Sequence, residues 1–184
     1  RLARYGIETV MTRRADRYVP LEARTTLANR VNADLFLSIH ANAGGQPHTR
    51  GVETYVLDFA TSREAAAVAT RENAEASGTM VDLDALVRAI GASAKAAESR
   101  ALAELVQQRL VDKLRTVDPG IPDLGVKEAP FVVLIGARVP SVLAEISFLS
   151  NSRDAHLLGT DTYRDLVADG LVEAVLGYRR VLKP

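Results

Sequence analysis

The chain has 184 residues, of which 47% are hydrophobic and 25% charged, the make-up of one soluble globular domain with a sizeable core. Its 23 basic residues balance 23 acidic ones, which argues against a broad electrostatic grip on nucleic acid or an anionic membrane, and the lack of tryptophan argues against a base-stacking platform. Cysteine is absent, so disulfides, thiolate catalysis and cysteine-based zinc sites are excluded, and no apolar run is long enough to span a bilayer.

The opening "RLARYGIETV" reads as the tail of a helix stopped by Gly6, with no initiator methionine or apolar leader, so an N-terminally shortened product is expected. "IETVMT", 7 to 12, reads as a strand from its β-branched content. The polar loop that follows ends at Pro20, and the Arg/Asp set of "TRRADRYVPLEAR" reads as an ion-pair network joining loop to helix. Helical spacing of Leu21, Thr25, Ala28 and Val31 predicts a helix over 21–33, opened by Pro20. Strands are expected at 34–39 and 51–58, separated by the glycine- and proline-punctuated loop "NAGGQPHTRG". Residues 61–116 are alanine-rich and mostly helical, with a short helix at 82–91. They close on an amphipathic helix at 98–116 whose stripe is Leu102, Leu105, Val106, Leu110 and Leu114. "DPGIPDLG" is a loop, "FVVLIG" (131–136) and "SVLAEISF" (141–148) are apolar strands, and the end is helical, with Leu83, Leu86, Val87 and Ile90 upstream needing only a core to face. Strands that alternate with helices and are almost continuously apolar predict an α/β fold: a single three-layer domain over 1–184, with a mixed, mostly parallel sheet flanked by helices on both faces.

Two of these strands carry one ionisable residue near the carboxyl end. In "LFLSIH", Ser38 and His40 share a face and Ile39 takes the other. In "SVLAEISF", Glu145 lies among apolar residues, where a carboxylate loses several kcal/mol of hydration unless a donor or a metal compensates it. Ligands gather at strand carboxyl ends in open α/β sheets, so His40 and Glu145 are candidates for one site. His48 in a polar loop and His156 on a surface-type helix read as solvated, Glu53 reads as an exposed face residue by its alternating spacing, and Glu128 has no assignment.

Four stretches in order, "TRRADRYVPLEARTTLANRVNADLFLSIHANA", "RGVETYVLD", "GVKEAPFVVL" and "PSVLAEISFLSN", resemble the zinc-dependent N-acetylmuramoyl-L-alanine amidases of the Amidase_3 type. The resemblance runs from about Gly6 to the last helix. It implies a periplasmic or extracellular peptidoglycan hydrolase of cell division or sporulation, which cuts the amide between the lactyl group of N-acetylmuramic acid and the L-alanine of the stem peptide. It also implies a Zn2+ cofactor, with His40 as a metal ligand and Glu145 as general base; Asn42 falls on a motif position without assigned chemistry. Zinc with three protein ligands leaves a position for water and acidifies it, which suits this reaction. The family's other two ligands, a histidine in a glycine-rich turn and a glutamate in the next helix, have no counterpart in this sequence. Two readings follow from that: a fragment of an active enzyme, or an inactive murein-binding or regulatory module. "GTMVDLDALVRAIGASAKAAESR", 78 to 100, matches either a short form of an inserted helix that an activator protein withdraws from the zinc in some relatives, or a plain connecting helix.

Overall fold

The computed structural model describes residues 1–44, 46–74 and 95–182. A 3-10 turn at Leu2–Tyr5 ends on Gly6, whose φ of 68° satisfies the left-handed helix stop expected there. Helix α1 spans Leu21–Arg30, strand β1 Phe36–Asn42, strand β2 Val52–Leu57, helix α2 Arg63–Asn73 and helix α3 Ala96–Leu114. Strand β3 spans Asp123–Ala129 and β4 Ser141–Phe148; helices α4 (Ser152–Leu158) and α5 (Asp161–Leu182) complete the order. The sheet order is β1-β4-β2-β3, with β1–β4 and β2–β3 parallel and β2–β4 antiparallel, so the expected mixed and mostly parallel sheet is present. The helix foreseen at 82–91 lies outside the described residues.

Period-two alternation sorts the strand side chains between two cores. Leu37, Val52, Val56, Val142, Ala144 and Ile146 pack with α3 and α5 on one face. Phe36, Tyr55, Leu57 and Leu143 face α1, α2 and residues 131–134 on the other. The stripe of α3 falls as its periodicity predicts: Leu102, Val106, Leu110 and Leu114 are fully buried, and Leu105 packs at the margin. Every residue of β4 is buried, because it lies between two strands and two layers. Among the described residues no helix is long and apolar enough to cross a membrane.

Four local expectations are corrected. Residues 7–12 form no strand, since none of their backbone groups pairs with the sheet, and β propensity without a partner strand makes no ladder. "FVVLIG" is not a strand either: Leu134 N donates to Phe131 O at 2.9 Å and Ile135 N to Val132 O at 3.0 Å, so the segment curls into tight turns. Its apolar character reflects burial under α1 and α2 rather than a place in the sheet. The strand in this region is instead the more polar "DLGVKEA", half-buried at the edge beside β2. The third correction concerns the arginines of 12–24. Among the described residues no ion pair joins them; Arg13 donates to the Arg17 carbonyl and Arg24 to the Val19 carbonyl, which stiffens the loop through its backbone. Val31 also leaves the α1 stripe, since the helix stops at Arg30 and Val31 is exposed.

Helices α3 and α5 meet closely at Gly170, where an added Cβ would stand 3.0 Å from the Arg109 carbonyl oxygen and 3.2 Å from Leu110 Cα. Both neighbours are backbone and cannot swing aside. Gly170→Val is therefore expected to destabilise the domain by roughly 1–3 kcal/mol through overpacking, measured as a lower urea midpoint at unchanged m value.

Candidate metal centre

The register of three adjacent strands places one ionisable row across the sheet. His40 of β1 is aligned with Glu145 of β4, and Glu145 with Glu53 of β2. All three side chains fall on the face covered by α2, and Glu72 comes down onto that row from the last turn of α2. The His40 Nδ1 lies 2.8 Å from Glu72 Oε2 and 3.9 Å from Glu145 Oε1. Donor atoms of His40, Glu72 and Glu145 all lie within 4.8 Å of one another, a set that could hold a metal ion. His40 and Glu72 keep partial access to solvent, with 22% and 19% of their side chains exposed, whereas Glu145 has none.

Glu145 is the feature that needs explaining. Both of its carboxylate oxygens are buried and neither receives a hydrogen bond. Burial pushes its pKa up from the ordinary 4.5 to about 9; the charges of Glu72 and Glu53 push the same way, and Arg71 opposes them. A donorless buried carboxylate beside a second carboxylate and an imidazole nitrogen is a spot of negative potential that a divalent cation would satisfy. One imidazole and two carboxylates match the hard-to-borderline donor set that zinc accepts. The residues present therefore fit a metal.

Glu53 is corrected from an exposed residue to a buried one, at 2% exposure. The alternation was real, but the face it marks is roofed by α2 instead of solvent. Its Oε1 accepts from Tyr55 Oη at 2.9 Å and from Asn42 Nδ2 at 3.3 Å, and its Oε2 pairs with Lys127 Nζ at 2.5 Å. Burial first, and then the neighbouring Glu53 carboxylate, drives the Tyr55 phenol far above its usual range, so it stays a donor. Glu128 pairs with Arg100 away from the row. His48 and His156 are exposed and take no part in the cluster, as their contexts suggested.

Glu72 was not foreseen. Its signal is positional: Ala65, Val68 and Ala69 are the buried residues of α2, and Glu72 follows at the next helical repeat of that stripe. A carboxylate on the apolar stripe of an amphipathic helix is the mark that separates it from solvated neighbours such as Glu64. The rim of the site is built from two connections. Ser150 Oγ donates to the Gly44 carbonyl at 3.1 Å, and Asn151 Nδ2 to the Pro47 carbonyl at 2.8 Å. Behind them, Arg50 pairs with Asp118 and Asp154, and Asp154 also accepts from the Gly51 and Phe148 amides.

The fold is thus an α/β domain with a histidine–carboxylate cluster on a mixed sheet that could hold a metal ion. Residues 1–176 match the family model of the N-acetylmuramoyl-L-alanine amidases, Amidase_3, and the chain belongs to that family. It is 31% identical over 182 residues to the N-acetylmuramoyl-L-alanine amidase AmiA of Escherichia coli, covering 96% of this chain and 63% of that protein. It is 33% identical over 181 residues to the amidase AmiC of Neisseria meningitidis, covering 94% of this chain and 42% of the relative. The solved structure of the amidase AmiC2 of Nostoc punctiforme superposes with a TM-score of 0.71 at 26% identity, covering 97% of this chain and 76% of that one. The chain thus spans less than two thirds of the length of these two curated relatives.

The raised proton affinity of Glu145 sets a pH dependence for the metal-free protein. The unfolded chain loses this proton near pH 4.5 and the folded chain near 9. The group's contribution to stability is therefore complete at acid pH and declines as pH rises through that interval. Glu145→Gln removes the decline. In thermal melts with a chelator present, the variant is expected to gain on the wild type steadily as pH rises from 5 to about 9; parallel curves for the two proteins would show that this carboxyl is not the group responsible.

Proposed function

We propose that this chain is the catalytic domain of a zinc-dependent N-acetylmuramoyl-L-alanine amidase that acts on peptidoglycan outside the cytoplasmic membrane. The reading is supported by membership of the family and by the names of the relatives. The observation that carries it is the pair of donorless Glu145 oxygens facing His40 and Glu72. His40 and Glu72 would hold the ion, with the Glu145 carboxylate beside it on the sheet. Bound zinc supplies a Lewis acid that polarises the amide carbonyl and acidifies water.

The chain's own contribution is a base held in place. Glu145 comes from a rigid central strand, so its carboxylate moves little. It accepts a proton as water adds to the carbonyl carbon of the lactyl–alanine amide. When the C–N bond breaks, it passes that proton to the departing α-amino group of L-alanine. In the metal-free state the carboxyl is protonated at neutral pH, so a cation beside it is what frees it to act as a base. The partly exposed His40 and Glu72 mark the side from which substrate approaches.

The test uses purified peptidoglycan and follows the release of free stem peptide. Glu145→Gln is expected to lower turnover by about 100-fold or more while leaving a folded protein, the scale of general acid–base catalysis. His40→Ala and Glu72→Gln are expected to reduce zinc uptake, by about tenfold or more, before any change in fold. An undiminished rate in Glu145→Gln would falsify the mechanism. A protein that stays zinc-free and retains murein without hydrolysing it would instead match a wall-binding module without chemistry.

A further inference from the structure

Asn42 has no role in the chemistry above, yet its side chain is fully buried and makes three hydrogen bonds at the edge of the cluster. It ends β1, two residues beyond His40. Between the two the register slips: His40 is aligned with Glu145, but Asn42 with Phe148, so β4 contributes an extra residue there. This irregularity turns the Asn42 amide in among the elements that surround the site. Its Oδ1 accepts from Gly44 N at 3.0 Å and from Arg71 Nη1 at 3.0 Å, and its Nδ2 donates to Glu53 Oε1 at 3.3 Å.

Each partner is adjacent to a member of the cluster. Arg71 immediately precedes Glu72 on α2. Glu53 stands opposite Glu145 across the β2–β4 pair and is fixed from its far side by Lys127. Gly44 makes the reach possible, because a Cβ there would fall 1.8 Å from Arg71 Cζ, in the space the guanidinium now fills. The end of α2 is also tethered by Asn73, whose Nδ2 donates to the Pro130 carbonyl and whose Oδ1 accepts from Val132 N, each at 2.9 Å. That tether sets the height of the helix end, while Arg71 on Asn42 sets its position over β1.

Resting on the metal reading above, we infer that Asn42 is a positioning residue whose single amide fixes the spacing of His40, Glu72 and Glu145 by gripping Arg71 on one side and Glu53 on the other. Only an amide meets the demand, since the position must accept from two N–H donors and donate to a carboxylate. Aspartate keeps the grip on Arg71 but sets a second carboxylate against Glu53. Leucine, of similar size, loses both.

The test measures zinc affinity of the 184-residue chain by competition with a chromophoric chelator, and thermal stability of the metal-free protein alongside. Arg71 is exposed on the helix surface, so Arg71→Ala is expected to fold, and to bind zinc roughly 10–100-fold more weakly, the scale for groups that orient metal ligands. Arg71→Lys restores a donor to Oδ1 and is expected to recover most of that loss, which a purely structural helix contact would not predict. Asn42→Asp and Asn42→Leu are expected to weaken binding further, and Arg71→Ala carries the test should either fail to fold. Unchanged zinc affinity in Arg71→Ala, with the wild type binding normally, overturns this inference and leaves the metal reading standing. A wild-type chain that takes up no zinc overturns both.

Discussion

A carboxylate with no donor, placed at the middle of the sheet, is the constraint around which the rest of the site is arranged. Glu145 sits on an interior strand, paired on both sides, where water cannot reach it and, among the described residues, no protein N–H is directed at it. Such a group is tolerated in one of two ways: by holding a proton, or by facing a cation. The neighbours make the second way available. Another carboxylate and an imidazole nitrogen lie within reach, and both keep a path to solvent. The nearby guanidinium of Arg71 is committed elsewhere, on Asn42, and so steadies the helix end without filling the place a metal would take.

That arrangement follows from strand arithmetic. Alternation puts Phe36, Ser38 and His40 on one face of β1, and Glu145 and Leu143 on the same face of β4. The antiparallel pairing of β4 with β2 then brings Glu53, from the beginning of its strand, level with residues that come late in theirs. A single-residue slip in any of these registers would send one of the three to the opposite core, under α3 and α5. The mixed topology is thus part of the site, because an all-parallel sheet would place the start of β2 at the other end of the molecule.

Much of this was legible in the sequence, and the failures share a cause. Apolar stretches with an unambiguous period, such as the α3 stripe and β4, were read correctly, as was the convergence of His40 and Glu145 at neighbouring strand positions. Glu53 was misread because alternation reports which residues share a face, not what covers that face. "FVVLIG" was misread because apolar composition reports burial, and turns can be buried too. "DLGVKEA" was passed over because an edge strand needs little hydrophobicity when its neighbour supplies the pairing. Glu72 escaped because a single glutamate on an alanine-rich helix looks solvated until the stripe beneath it is traced from Ala65 through Ala69. The partners that decide each case are distant in the chain, and a periodic pattern carries no information about them.

The contacts at Gly44 and Pro47 have a consequence for how this border can diversify. Ser150 and Asn151 hold the connection between β1 and β2 by its carbonyl oxygens, at Gly44 and Pro47. Main-chain carbonyls are the same whatever residue bears them. The side chains projecting from that border can therefore be exchanged, while the backbone path, and the row of His40 and Glu145 beneath it, stay as they are.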